Sequence, residues 1–318
     1  MQISGAVWRA RSRQVLVLAG ATLAWGGGVA MFVLLGGLFV HPLEAAFGWR
    51  RGDIALSSAI LLGMGLMAPL IGVAADRVAA RVFVAVGALG FAGAYVALAS
   101  LDGDIRLYFA VLGFVALIAA PATSPLIYSR VVVAHFDKRR GFALSICLSG
   151  STALAAFMLP LTQYVIETFG WRVAYLMLAG AALAIGAAAF ALLGAGAPRT
   201  RDRPAQSSRA WHAVLGALGD LRFWLLALCF SAGGTALFGV AAHTQPFLTE
   251  TGFDPARAAW VGALLGVVTI VARLGVGFLL DRVEPGWLGL AAFLAPVGAA
   301  LSWLGRPRLG LPSSWRCR

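Results

Sequence analysis

Gly72-Val73-Ala74-Ala75-Asp76-Arg77-Val78-Ala79-Ala80-Arg81 stands between two long apolar segments, and a shorter copy, Gly277-Phe278-Leu279-Leu280-Asp281-Arg282-Val283, follows 205 positions later. The glycine lets two helices approach closely. The Asp-Arg pair falls where the chain leaves hydrocarbon, so ion pairs can form at the interface, and Arg81 adds a second cation on the same side. A turn of this kind, repeated at matching places, predicts a chain built from two similar halves. Gly72, Asp76, Arg77 and Arg81, with Gly277, Asp281 and Arg282, are the residues that carry the repeat.

The composition points the same way. The chain is 60% hydrophobic and 12% charged, with a mean hydropathy of +0.87. Such a chain is no soluble globular domain, and its apolar stretches of about 20 residues read as membrane helices. Nine are expected, at 15–40, 54–75, 82–101, 107–133, 142–166, 173–194, 223–247, 258–280 and 287–304. A net charge of +12 would fit nucleic acid if the protein were soluble, but its placement has another explanation. The N-terminal stretch and loops 76–81, 135–141, 195–222 and 281–286 hold 14 Lys and Arg, against 5 in the opposite loops (Arg50, Arg51, Arg106, Arg172 and Arg257). The excess marks the first set as cytoplasmic, N-terminus included. The expected location is therefore a cell membrane, multi-pass, of the bacterial cytoplasmic kind, with the lipid bilayer as partner and no nucleic acid. Arg9, Arg11 and Arg13 precede an apolar run too long for a cleaved signal. Cys147, Cys229 and Cys317 are isolated, with neither a disulfide framework nor metal-ligand spacing. No nucleotide-binding loop or paired catalytic groups are visible, so no metal, cofactor, nucleotide or enzymatic activity is expected.

Residues 195–222 break the apolar pattern with Pro198, Arg199, Arg201, Asp202, Arg203 and Pro204. The organisation read from this is a six-helix bundle over 1–194, a cytoplasmic linker over 195–222, a partial second bundle of three helices over 223–304 and an atypical Arg- and Pro-rich tail over 305–318. Six helices, a basic linker and more helices is the plan of a two-bundle transporter. Phe47-Gly48-Trp49-Arg50-Arg51-Gly52 and Phe136-Asp137-Lys138-Arg139-Arg140-Gly141, each followed by Ala-Leu-Ser, add an echo of inverted topology inside the first half.

All 13 acidic residues fall in loops or at helix ends, and two charged residues lie inside expected helices, Arg130 and Arg273. A charge at the bilayer centre costs about 3 kcal/mol on insertion scales, so each needs a reason. Arg130 lies about 7.5 Å along the axis from His135 and can snorkel to the cytoplasmic surface. Arg273 lies about 12 Å from Asp281, near the midplane of a core about 30 Å thick. With no acid in any expected helix, it must be met by carbonyls, water or an anionic ligand. The last option makes it a substrate site, a planar fork for a carboxylate at the depth where transporters bind cargo.

The stretch Phe136–Ser145, then Ser149-Gly150-Ser151, Gly170-Trp171-Arg172, Phe47-Gly48-Trp49 and Val271-Ala272-Arg273, resembles the monocarboxylate-porter and oxalate/formate-antiporter branch of the major facilitator superfamily. The paired Gly-x-x-x-Asp-Arg turns resemble the superfamily's loops between helices 2 and 3 and between helices 8 and 9, which implies a gating role for Gly72, Asp76, Arg77, Arg81, Gly277, Asp281 and Arg282. The resemblance runs over about 15–285. It implies an all-α polytopic membrane protein with about 9 (6 + 3) of an expected 12 transmembrane helices, truncated at its C-terminus. Helices 7–9 would then present to lipid the faces made for the missing three. The resemblance also implies that Arg273 meets the substrate carboxylate and that Trp25 and Tyr128 face the pathway. It makes His243 a candidate proton relay and H+ a candidate coupling ion. The acid expected on helix 1 is absent around Trp25-Gly26-Gly27-Gly28, and Thr269 stands where an acid often precedes the helix 8 Arg. The implied function is secondary active transport of a small organic anion, a mono- or dicarboxylate, by alternating access. A non-transporting truncated or accessory membrane protein is the alternative, and drug efflux ranks lower.

Overall fold

An apolar chain in lipid must satisfy its backbone groups internally, and helices do so within one segment. The computed structural model describes residues 2–50, 52–54, 60, 62–136, 139–196, 216–233 and 255–304, and every regular element among them is helical. Among the described residues, five stretches are long and apolar enough to cross a membrane: Arg11–Phe47, Ala80–Ala99, Ile105–His135, Arg140–Phe169 and Trp171–Ala195. Leu221–Gly233 and Gly266–Leu280 are shorter apolar helices. This is a polytopic all-α membrane protein.

The first expected helix proves longer and interrupted. Helix α1 runs Gln2–Gly26, so Arg9, Arg11 and Arg13 lie on it rather than ahead of it. The chain breaks at Gly27-Gly28, then continues as α2, Val29–Gly36, a 3-10 turn at Gly37–Phe39, and α3, Val40–Phe47. In the second segment a 3-10 stretch, Leu62–Met67, leads into α4, Ala68–Arg77. Asp76 and Arg77 therefore complete the last turn of a helix instead of opening a loop. A cation there meets the partial negative charge of the helix C-terminus.

Helix α5 spans Ala80–Ala99. The fourth segment is broken into α6, Ile105–Phe114, a π turn at Val115–Ala119, a short turn at Ala120–Ala122, and α7, Pro125–His135. Pro125 begins α7 where a missing N–H costs nothing, and the Ser124 hydroxyl accepts from Leu126 N at 3.3 Å. Helix α8, Arg140–Phe169, runs on through Pro160, and α9 spans Trp171–Gly196. Then come α10, Leu221–Gly233, α11, Pro255–Leu280, and α12, Pro285–Leu304. The linker from 197 to 215, the expected seventh helix beyond Gly233, the tail 305–318 and His243 lie outside the described residues.

Helix α9 packs along α5 and α1, and α1 also packs along α8 and α7. Two cores fill this bundle. One holds an aromatic group including Phe32, Phe39, Tyr95, Tyr108 and Tyr175, with Phe39 stacked on Tyr175 at 3.9 Å between centroids. The other gathers Val17, Phe83, Tyr128, Val132 and Cys147. Helix α8 also packs along α11, the main contact between first-half and second-half helices. Most described side chains of α11 and α12 are exposed.

Candidate functional site

The repeated turns lie where helices end, and their charges meet different partners there. Arg130, inside α7, ion-pairs with Asp76 at the end of α4, and its Nη1 donates to the Gly72 carbonyl at 3.3 Å. Arg130 stays half-exposed, with a carboxylate and a backbone carbonyl near the C-terminus of α4 as its partners. The Arg81 guanidinium lies 4.0 Å over the Phe190 ring, beside Gly194. Arg282 lies 4.0 Å over Phe278, and Arg77 is exposed.

Asp281 does something different. Its Oδ1 accepts from Gly141 N at 2.8 Å and its Oδ2 from Phe142 N at 3.0 Å. These are orphan N–H groups at the start of α8, whose own N-cap residue, Arg139, is left-handed (φ 62°) and makes no side-chain cap. The second-half turn thus supplies the cap for a first-half helix, and its negative charge sits at the positive end of that helix. Gly277 makes this reach possible. A Cβ there would lie 2.6 Å from both the Gly141 carbonyl oxygen and Ser145 Cβ. Helices α8 and α11 therefore cross almost backbone to backbone.

Eight residues back along α11 from Asp281, Arg273 Nη1 donates to the Leu148 carbonyl of α8 at 2.8 Å. The same carbonyl accepts from Trp25 Nε1 of α1 at 3.2 Å and from Ser151 Oγ at 3.3 Å. Trp25 is brought there by a second close crossing, since a Cβ on Gly26 would lie 2.8 Å from the Gly150 carbonyl oxygen. Arg273 itself is exposed, and Trp25 is half-buried. Of the three expected substrate-binding residues, the structure brings these two together on one backbone oxygen. Tyr128 is placed elsewhere. It is fully buried, donates to the Ala122 carbonyl at 3.2 Å, and lines a small cavity with Leu23, Gly27, Thr123 and Ile185. The break in the fourth segment leaves the Ala122 carbonyl free of an intrahelical partner, and the Tyr128 hydroxyl takes it.

Around the Leu148 carbonyl the arrangement gathers a permanent cation, an indole N–H and a hydroxyl, all hydrogen-bond donors. Among the described residues no group of three or more His, Cys, Asp or Glu is placed to hold a metal ion. Sequence reasoning missed the Leu148 carbonyl, which as backbone carries no side-chain signal, and the capping role of Asp281, whose partners are 139 and 140 positions away.

Residues 16–311 match the Major Facilitator Superfamily profile. The chain is 32% identical over 286 residues to monocarboxylate transporter 11 of Homo sapiens, covering 86% of this chain and 57% of that protein. It is 28% identical over 267 residues to monocarboxylate transporter 4 of Mus musculus, covering 80% and 56%. It is 28% identical over 258 residues to monocarboxylate transporter 3 of Rattus norvegicus, covering 78% and 52%. The chain thus spans about half the length of the curated relatives it matches. With its helical segments and paired Gly-x-x-x-Asp-Arg turns, the chain belongs to the Major Facilitator Superfamily, a family of transporters.

Proposed function

We propose that the protein serves secondary transport of a small organic anion, a mono- or dicarboxylate, across the cytoplasmic membrane by alternating access. The observation that carries the reading is Arg273. It is a cation on a membrane helix whose hydrogen bond goes to a main-chain carbonyl, within reach of a second helix's indole N–H. A guanidinium in that setting attracts a carboxylate strongly, because charge-assisted bonds are about twice as strong as neutral ones. The names of the relatives agree with that solute class.

In this reading 1–194 is one rocking bundle, 195–222 the linker and 223–304 the helices of the other, with the N-terminus cytoplasmic. Asp281, Gly277 and Arg282 latch the cytoplasmic side against α8. Gly72, Asp76, Arg77, Arg81 and Arg130 hold the corresponding turn of the first half. His243 remains the candidate proton relay and H+ the candidate coupling ion. Tyr128 supports the site through packing rather than contact.

The test is saturable binding of acetate, lactate, pyruvate and oxalate to the chain in lipid nanodiscs, before and after Arg273→Ala. Loss of binding in the variant is expected. A second arm replaces the matching Arg by Ala in a full-length relative and measures carboxylate uptake in proteoliposomes. Undiminished binding and uptake would remove Arg273 from the site.

A further inference from the structure

Leu148 O is shared by more donors than it can serve. A carbonyl oxygen has two lone pairs. Trp25 Nε1, Ser151 Oγ and Arg273 Nη1 approach this one from α1, from α8 itself and from α11, at 3.2, 3.3 and 2.8 Å. The donors compete, and Arg273 brings a fork with further N–H groups beyond the one engaged.

A second observation falls at the same level. Ser149 is 7% exposed, and its hydroxyl has no hydrogen-bond partner among the described residues. Its direction follows from register. Ser145 faces Gly277 at the α8–α11 crossing, and Asp281 on the first residues of α8 shows the two helices to be antiparallel. One turn further along α8 is Ser149, on the face that Ser145 occupies; one turn back along α11 is Arg273. An orphaned hydroxyl buried in a membrane helix costs free energy unless something meets it.

We propose that the Leu148 carbonyl is a stand-in for the substrate's carboxylate, and that Trp25, Ser149 and Arg273 form the set that receives the carboxylate when the stand-in is displaced. The inference rests on the reading of Arg273 as the substrate's counter-charge and adds the residues that orient the anion. A carboxylate brings two oxygens and about four acceptor sites in one plane. The Arg273 fork takes one pair, and the Trp25 indole and Ser149 hydroxyl take the rest. A neutral carbonyl holds the guanidinium less tightly than an anion does, so the exchange favours binding, and the Leu148 oxygen keeps Ser151 as a donor. With donors on α1, α8 and α11, the anion draws both halves onto one ligand.

The experiment titrates lactate and oxalate into the 318-residue chain in nanodiscs, following both heat and tryptophan fluorescence, with methyl lactate as the uncharged control. Arg273→Gln is expected to weaken binding at least 100-fold. Trp25→Phe and Ser149→Ala should each weaken it about 10-fold, the size of one hydrogen bond to a charged group. The lactate-dependent fluorescence change should vanish in Trp25→Phe and persist in Ser149→Ala at higher concentration, a signature that a purely packing role for Trp25 would not produce. Methyl lactate should give neither signal.

If Arg273→Gln binds as well as the parent, or if the parent binds neither anion, the counter-charge reading fails and this inference with it. If Arg273→Gln loses binding while Trp25→Phe and Ser149→Ala bind normally, this inference alone is wrong. Ser149→Ala removes a single oxygen, and it decides the matter by itself should Trp25→Phe not fold.

Discussion

At the residue scale, similar-looking Asp-Arg turns do different work because of what each carboxylate faces. Asp76 faces a guanidinium across a half-exposed pair, with side-chain exposures of 51% and 53%. Pairs so open to solvent contribute about 0.5 kcal/mol, so Asp76→Asn should barely change the thermal midpoint in nanodiscs. Asp281 instead accepts from two backbone N–H groups, and losing a cap of that kind costs about 1 kcal/mol. Asp281→Ala should therefore lower the midpoint by a few degrees. Equal midpoints for Asp281→Ala and the parent would show that the cap adds nothing. The turns themselves were legible from spacing alone, since both repeat Gly-x-x-x-Asp-Arg. The difference between them was not, because it resides in Arg139, which leaves the start of α8 uncapped, and in a glycine crossing between helices distant in sequence. Arg273 and Trp25 were likewise legible one at a time, as a charge and an aromatic in apolar segments; that they share an acceptor is not written in either.

At the element scale, the informative feature is that the first and fourth segments break where they meet. The first breaks after Gly26, leaving Val29 N without a helical partner, and the Thr123 hydroxyl accepts from it at 3.1 Å. Thr123 sits in the fourth segment's own break and donates to the Ala120 carbonyl at 3.1 Å. One hydroxyl therefore serves both interruptions. Thr123→Val keeps the shape and orphans a buried N–H, which costs about 1–3 kcal/mol. The expected result is faster amide exchange at Val29 and a lowered thermal midpoint, with Thr123→Ser restoring both; unchanged exchange would mean the N–H has another acceptor. The glycines at 26–28 and the prolines at 121 and 125 stand at or beside these breaks. Hydrophobic periodicity ran through both breaks without a gap, so the first segment read as one helix of 15–40 when it is several elements over Gln2–Phe47.

At the scale of the whole molecule, the halves touch among the described residues mainly through α8 and α11, and both the proposed latch at Asp281 and the proposed counter-charge at Arg273 lie along that pair. From Asp281 on Gly141, through Gly277 on Ser145, to Arg273 on the Leu148 carbonyl, the contacts span about 12 Å of helix. A bundle that rocks must open the Asp281 end of this seam while keeping or exchanging the contact at Arg273. Weakening the cap alone should therefore favour the conformer open on that side. The measurement uses Phe142→Cys, with Cys147, Cys229 and Cys317 changed to Ser, and a membrane-impermeant maleimide added on the side where Asp281 lies. Losing about 1 kcal/mol of closure raises the open population about 5-fold, so Asp281→Asn should speed labelling by that factor. Arg130→Ala breaks a contact within the first half only and should leave the rate unchanged. If both substitutions accelerate labelling equally, the end is loosened generally and Asp281 is no latch. If neither does, the α8–α11 seam does not open at this end, and alternation must use another pair of helices.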